Sequence, residues 1–313
     1  MDELKGIVIP PKPHLLMDIE AAKGRMGKVA EAIAKDPSIA AATLKCANAP
    51  YYRRAVPVTS IQRAVVMLGE TNIIHLVRGL ILKTALKGEL PSNWFEWYWR
   101  SATDVAVLSS SIWQSLMFPP DDTSYALGLF HNSGMPLMAQ RFANYIDNIV
   151  PTWQSIQTHL ADAERAQYGV SHCEAGRMVA KQWSLAPEIV SAIEHHHCPV
   201  DQLPSTLPDT IVTYIAILQW ANYLNREFHS AGQLDHSPEW QHQAKPILEF
   251  FGLTPDAWQE ISLDGLSDLS DQHLYEEIGE TVFNDHSWIS LPDDCYGSDN
   301  QDSGDQTGQL GRA

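Results

Sequence analysis

The chain has 313 residues, of which 44% are hydrophobic and 19% are charged, a composition typical of a globular protein that can bury a substantial core. No apolar run reaches the roughly 18 residues that a transmembrane helix needs. The N-terminus MDELKGIVIPPKP lacks the basic and then apolar layout of a signal peptide. The cysteines, Cys46, Cys173, Cys198 and Cys295, show no CxxC or disulfide-framework spacing. We therefore expect a cytoplasmic protein with reduced thiols and no membrane partner.

The formal net charge of −17 is unevenly distributed. Residues 226–313 carry 18 acidic and 3 basic side chains, a net charge of −15, whereas residues 1–225 carry a net charge of only −2. Because phosphate contacts need clustered Lys and Arg, this distribution predicts no nucleic-acid partner. The acidic region is expected to form a solvated surface, with binding of a specific basic partner as the alternative.

The first predicted helices have clear start and stop signals. Asp36 is a predicted N-cap, followed by Pro37 at a first helical position that needs no amide hydrogen. A helix that begins near residue 60 is predicted to end at Gly69. The next helix, with Thr71 as its cap, is predicted to end at Gly88.

The rest of the sequence also has helical periodicity. We predict a tryptophan-rich helix from about Asn93 to Leu116, a short helix that ends at the motif GLFHNSGM (128–135), and a helix from Pro136 to about Asp147. No segment shows period-two alternation between hairpin turns, so the fold class is predicted to be all-α. Residues 230–240 have a loop-like composition. Further helices are predicted in the ranges 151–169, 172–183, 186–197, 210–228, 243–253 and 271–283.

Five histidines form the strongest candidate constellation. His131, His172, His195, His196 and His197 lie on three predicted helices or helix ends, as a metal site in a helical bundle requires. Neutral imidazoles that converge on one point bind divalent metals. Each histidine taken alone is better explained as part of a capped helix end or as a hydrogen-bonded core residue than as a metal ligand.

An ordered series of motifs extends from Ile9 to about Leu224. The motifs are IPPKP (9–13), VAEAIAKDPSIAAATLKCANAPYY (29–52), VPVTSIQRAVVMLGETNIIHLV (56–77), GLFHNSGMPLMA (128–139), YGVSHCEAGRMVAKQWSLAPEIVSAIEHHHCP (168–199) and ANYL (221–224). In these motifs the sequence resembles the HDOD domain, a relative of the HD and HD-GYP metal-dependent phosphohydrolases. The resemblance implies a multi-helix HD-like bundle.

The resemblance also implies a division of the chain into three parts. The HDOD domain would span residues 1–229, with an N-terminal helical lobe over about 1–90 and an HD-like lobe over about 91–229. An acidic helical extension would follow over 230–291. Residues 292–313 are polar and rich in Gly, Asp and Ser, which predicts a disordered acidic tail.

Carried over residue by residue, the resemblance implies that some ligand positions of the hydrolases are retained and others are altered. The retained candidates are His131, His172, His196 and His197, and the altered positions are Arg100, Asn132 and Asn222. An amide is neutral and bridges two metals poorly, and an inward-pointing arginine adds a fixed positive charge, so a two-metal site loses the carboxylates that it needs. The imidazoles could still hold one divalent metal (Zn, Ni, Fe or Mn). Without a metal, hydrogen bonds to the three altered residues would hold a cluster of neutral imidazoles.

These inferences predict a bacterial signal-transduction protein with a degenerate, catalytically inactive HD-type site. As the resemblance implies, such a protein acts by binding signalling proteins, and no cofactor is expected, with one bound divalent metal as the alternative. The alternative is a metal-dependent phosphohydrolase, a phosphodiesterase, with a reduced metal site. A nucleotide sensor is a third hypothesis, although the sequence has no Gly-rich phosphate loop to support it.

Overall fold

The computed structural model describes residues 4–48, 57–119, 123–148, 160–229 and 238–284. Throughout these ranges the secondary structure is helical and contains no strand, which confirms the predicted all-α class. In its described residues the N-terminal lobe contains five α-helices. They are α1 (His14–Ala21), α2 (Met26–Ile33), α3 (Pro37–Ala47), α4 (Ile61–Leu68) and α5 (Glu70–Lys87).

Helix ends in the N-terminal lobe follow the predicted signals with one exception. A side-chain oxygen of Asp36 accepts hydrogen bonds from the backbone amides of Ser38 and Ile39, so the predicted N-cap is confirmed. Gly69 ends α4 with φ of 80°, a left-handed conformation that glycine adopts without strain. The chain bends there by 110° and α5 begins at once at Glu70. The predicted cap at Thr71 is therefore wrong, because Thr71 lies inside the first turn.

The second lobe is formed around a long central helix, α6. It spans Ser92–Ser115, within one residue of the prediction at each end, and its buried Trp94, Phe95 and Tyr98 belong to the core. Two helices pack against α6, namely the next helix along the chain and the long helix that contains residue 220. The remaining helices of this lobe are α7 (Thr123–Phe130), α8 (Gly134–Arg141), α9 (Leu160–Tyr168), α10 (His172–Gln182), α11 (Pro187–His195) and α12 (Asp209–His229).

Helix α8 differs from the prediction at both ends. It begins two residues before Pro136, and it ends at Arg141 because Phe142 has extended backbone angles (φ −117°, ψ 107°). The prediction of a helix from Pro136 to Asp147 is therefore wrong in its boundaries. Contacts between the lobes include a hydrogen bond of 3.0 Å from the Trp183 indole to the carbonyl of Pro10.

Two further helices follow, α13 (Pro238–Phe251) and α14 (Pro255–Asn284). The second is one helix of 30 residues, so the prediction of a separate short helix at 271–283 is wrong. Helix α14 packs on α6 and α12, where Trp258 stacks on Trp220 with ring centroids 3.7 Å apart and Leu269 is fully buried. Residues 255–273 are thus part of the same packed unit as the second lobe. The predicted tail at 292–313 lies outside the described residues.

Among the described residues, no single helix is both long enough and apolar enough to cross a bilayer. The bent pair α4 and α5 meets the length and composition criteria only when its two helices are taken together.

Candidate functional site

Four of the five candidate histidines lie together in the second lobe. His131 is on the turn between α7 and α8, His172 is the first residue of α10, and His196 and His197 directly follow α11. The ring centroid of His196 lies 5.5 Å from that of His131, 5.4 Å from that of His172 and 4.1 Å from that of His197. We call these four residues the histidine cluster. The fifth, His195, is not part of these ring contacts; it is half-buried, and its Nδ1 lies 2.9 Å from the carbonyl of Ser191.

Two glycines of the motif GLFHNSGM place His131 in the cluster. A Cβ atom on Gly128 would lie 2.5 Å from the Cα of Ala106, and one on Gly134 would lie 2.0 Å from the carbonyl oxygen of His172. Neither contact is sterically possible, so glycine at both positions lets α7 approach α6 and α8 approach α10. Helix packing therefore requires these two glycines, independently of any chemical role of the motif.

His131 and His196 have the same hydrogen-bond arrangement. Their Nδ1 atoms lie 2.6 Å from the carbonyl of Gly128 and 2.7 Å from that of Ile193. A carbonyl only accepts, so each Nδ1 carries the proton and each Nε2 presents a lone pair. Both Nε2 atoms are buried and have no hydrogen-bond partner among the described residues. Burial lowers the pKa of His131 to about 4 and that of His196 well below its usual range, so both rings are neutral.

His172 has the opposite charge state because of Glu164. One oxygen of this fully buried carboxylate accepts hydrogen bonds from the backbone amide of His172 (2.8 Å) and from its Nδ1 (2.6 Å). The other accepts from the hydroxyl of Tyr145 at 2.5 Å. Burial alone would lower the pKa of His172, but Cys173 and Glu164 outweigh it and raise the pKa to about 10. The imidazolium then donates from Nε2 to Nε2 of His197 at 3.0 Å.

The charge on His172 keeps its neighbours neutral. The pKa of His197 is held well below its usual range by burial and by the nearby positive charges of His172 and Arg226. The buried thiol of Cys173 adjoins the histidine cluster. Its Sγ lies 3.5 Å from His172 Nε2 and 3.8 Å from His196 Nδ1.

The three altered positions have different environments. Asn132 is buried beside His131 with no hydrogen-bond partner for its Oδ1 among the described residues. Asn222 bonds the carbonyl of Leu218, and its side chain favours the protonated form of His131 against the stronger effect of burial. Arg100 is exposed on α6. The expectation that it points inward and supports the cluster is wrong, because its position on α6 faces solvent.

Sequence reasoning missed two groups that set the charge of the site. Glu164 is one acid on an otherwise ordinary amphipathic helix, eight residues before its histidine partner. Arg226 lies one turn after Asn222 on α12, a position on the same face of the helix. The spacing of Asn222 and Arg226 was the available signal for the second group.

The donor set fits one divalent cation. Ligand atoms of His172, Cys173, His196 and His197 all lie within 4.8 Å of one another, and His131 adds a buried Nε2 without a partner. Ring orientations fixed through Nδ1 by a carbonyl or a carboxylate are those of metal-ligating histidines. A second cation fits less well than one, because it would need a carboxylate ligand. Among the described residues, the carboxylate that contacts these rings is that of Glu164, and its oxygens already accept three hydrogen bonds.

The chain was compared with known proteins. The sequence model of the HDOD domain matches residues 9–199. No curated protein sequence matches the chain.

Solved structures with the same fold include three from different bacteria. An HDOD domain protein of unknown function from Geobacter sulfurreducens is 21% identical, with a TM-score of 0.60 and coverage of 89% of this chain and 93% of that one. A candidate metal-dependent phosphohydrolase from Shewanella amazonensis is 23% identical, with a TM-score of 0.55 and coverage of 85% and 95%. A candidate signal transduction protein from Marinobacter aquaeolei is 19% identical, with a TM-score of 0.63 and coverage of 88% and 60%. At these identities the likeness concerns the fold alone.

Proposed function

We propose that this chain, which belongs to the HDOD domain family, is a cytoplasmic bacterial regulatory protein that binds signalling proteins and catalyses no hydrolysis. The observation that carries the proposal is the charge of the site. Amides at Asn132 and Asn222 adjoin the histidine cluster, and the buried carboxylate of Glu164 is committed to His172 and Tyr145. Among the residues that the structure describes, the site therefore offers no free carboxylate to bridge two cations.

Electrostatics supports the absence of catalysis. Hydrolysis by a metal pair depends on anionic ligands that neutralise the cations and place the attacking hydroxide. In this site the charges that act on the His197 ring include the imidazolium of His172, which is paired with Glu164, and the guanidinium groups of Arg226 and Arg165. A second dication would have to enter without a compensating carboxylate, which costs several kcal/mol.

A second candidate function is a phosphohydrolase with a reduced, one-metal site. The observation that favours it is the pair of buried Nε2 atoms on His131 and His196, which have no hydrogen-bond partner among the described residues. His131, His172, His196 and His197 would hold the cation once His172 has lost its Nε2 proton, and a bound Zn²⁺, Ni²⁺, Fe²⁺ or Mn²⁺ would supply a Lewis acid. One of the similar structures is described as a candidate metal-dependent phosphohydrolase.

Partner binding is best tested with a truncation that leaves the packed helices intact. Removal of everything after residue 229 would expose the core, because α14 buries Leu269 and the stacked ring of Trp258 against the second lobe. A chain that ends at residue 284 keeps this packing and deletes only residues 285–313, which carry six aspartates and one arginine. The matched control has the full length, with those six aspartates changed to asparagine.

The measurement is affinity capture from native lysate, with quantification of each captured signalling protein. We expect the full chain to retain one such protein in stoichiometric amount. Loss from both the truncated and the six-asparagine chains would assign binding to the acidic segment, whereas retention by both would assign it to the helical body. Failure of all three chains to retain a signalling protein would contradict the proposal.

A further inference from the structure

A second group of metal-type ligands lies away from the histidine cluster. Asp104 of α6 is 1% exposed, and its two carboxylate oxygens contact imidazoles from two other helices. His229, the last residue of α12, has its Nε2 2.7 Å from Oδ2, and His273 of α14 has its Nε2 2.8 Å from Oδ1. These three residues, which we call the Asp104 triad, share no member with the histidine cluster.

We infer that the Asp104 triad is a binding site for one divalent cation of the Zn²⁺ type, which joins α14 to α6 and α12. Two imidazoles and one carboxylate form a ligand set that Zn²⁺ takes with water as the fourth ligand. One ligand atom from each residue lies within 4.8 Å of the other two. Around a tetrahedral Zn²⁺ with bonds of about 2.0–2.1 Å, ligand atoms are about 3.4 Å apart, so a small inward movement of the side chains is sufficient.

The exposure of the two histidines gives the cation a route to the triad. The side chain of His229 is 40% exposed and that of His273 is 18% exposed, whereas the carboxylate of Asp104 is buried. A cation can therefore reach the triad from solvent and keep a water on the exposed side. For both Nε2 atoms to bind it, each ring must carry its proton on Nδ1, so that the Nε2 lone pair replaces the present contact to the carboxylate.

The residues around the triad support its geometry. The ring of Phe228 lies edge-on to both imidazoles, with centroids 5.3 Å from His229 and 5.1 Å from His273. One turn before these ligands, Asn225 donates from Nδ2 to Ser101 Oγ at 2.9 Å. The Oδ1 of Asn225 is buried and has no hydrogen-bond partner among the described residues. The contact between α12 and α6, next to the triad, thus contains an unsatisfied buried oxygen.

Such a cation would have a structural effect that is independent of the proposed function. The ligands are 125 and 44 residues apart in sequence and come from three helices, so binding would join the C-terminal helix to the second lobe. Metal sites of this kind stabilise the folded state because the unfolded chain has no preformed site. The thermal midpoint of the protein should then rise with Zn²⁺ concentration, by mass action.

The test uses full-length protein stripped with chelator and then titrated with Zn²⁺ or Co²⁺. His196→Ala weakens metal binding by the histidine cluster, and its comparison with His196→Ala plus His273→Gln reports the contribution of the Asp104 triad. Circular dichroism before titration shows that each variant is folded. His273→Gln is the chosen variant because this side chain is partly exposed and glutamine preserves a hydrogen bond to Asp104.

We expect His196→Ala to bind about one equivalent of Zn²⁺, to gain thermal stability from it, and to give the visible absorption of a four-coordinate Co²⁺ site. The double variant should lose that equivalent, the stabilisation and the absorption. Equal Zn²⁺ binding by the two variants would overturn the inference. Absence of Zn²⁺ binding in folded His196→Ala would also overturn it, and would mean that the triad is a hydrogen-bonded clamp only. Neither outcome depends on hydrolytic activity or on a protein partner.

Discussion

Substitution of Glu164 by glutamine tests whether the histidine cluster carries a buried ion pair. The carboxylate accepts three hydrogen bonds, two from His172 and one from Tyr145, and no part of it is exposed. Glutamine keeps one accepting oxygen, turns the other position into a donor and removes the counter-charge of the imidazolium. Loss of one partner of a buried pair costs about 3–5 kcal/mol, a large part of a stability that is typically about 5–15 kcal/mol.

The assay is urea unfolding at pH 7, followed by circular dichroism and extrapolated to water. A matched control is Asp162→Asn on the same helix, which also removes one negative charge. The side chain of Asp162 is 75% exposed and pairs with Arg165 at 3.0 Å, so its loss should cost less than about 1 kcal/mol. If the two variants lose equal free energies of unfolding, the Glu164–His172 pair is not the buried ion pair described above.

Three other perturbations follow from the same structure. For His131, a pKa of about 4 in the folded protein means that its stabilising contribution is present above the unfolded value of 6.5 and is lost as the pH falls toward 4. His131→Gln should therefore reduce the loss of unfolding free energy between pH 7 and pH 4 by about 3 kcal/mol, and an unchanged loss in urea titrations would refute this. Gly134→Ala places a Cβ 2.0 Å from a carbonyl oxygen and should destabilise the protein by about 1–3 kcal/mol or more, whereas Gly27→Ala, where no atom lies within 4 Å, should be neutral or stabilising by thermal unfolding. Trp258→Ala removes the stack of a partly buried ring on Trp220 and should cost about 1–3 kcal/mol. Native-state hydrogen exchange of α12 should therefore be faster in this variant. Unchanged exchange would mean that α14 is only weakly attached and would contradict the prediction.

Local signals in the sequence were sufficient for most of the helices. The cap at Asp36 and the stop at Gly69 depend on contacts within a few residues, and the structure contains both. The start of α8 was placed too late because Pro136 is compatible with a first helical position. In the structure Pro136 instead occupies the third residue of a helix whose early amides need no intrahelical partner.

The spacing of the sequence predicted that the histidines lie close together, whereas it could not predict the direction of the side chain at position 100. The four retained histidines lie together, as their positions at helix ends suggested. Arg100 was assigned from its sequence context, yet on α6 the next residue, Ser101, is the one that turns inward. One residue corresponds to a rotation of about 100° around a helix, so a shift of one position separates the core from solvent.

The remaining features were beyond the reach of sequence spacing because they depend on distant segments. Asp104 meets His229 and His273 only when α12 and α14 pack on α6, across 125 and 169 residues of chain. Likewise, the charge of His172 follows from its contacts with Cys173 and Glu164, which outweigh the opposing effect of burial and which the sequence does not reveal. Burial and long-range packing are properties of the folded chain, and no local pattern reports them.

The most direct test of the central claim is turnover of phosphodiesters by metal-loaded protein. Chelator-stripped protein is reloaded with Zn²⁺, Ni²⁺, Fe²⁺ or Mn²⁺, its metal content is measured, and hydrolysis of bis-(p-nitrophenyl) phosphate and of cyclic-di-GMP is followed beside the His131→Ala variant. We predict that both proteins hydrolyse the two substrates no faster than buffer with the same metal, even where the unsubstituted protein retains one equivalent. Turnover that accompanies stoichiometric metal and disappears in His131→Ala would contradict the account and establish the phosphohydrolase alternative.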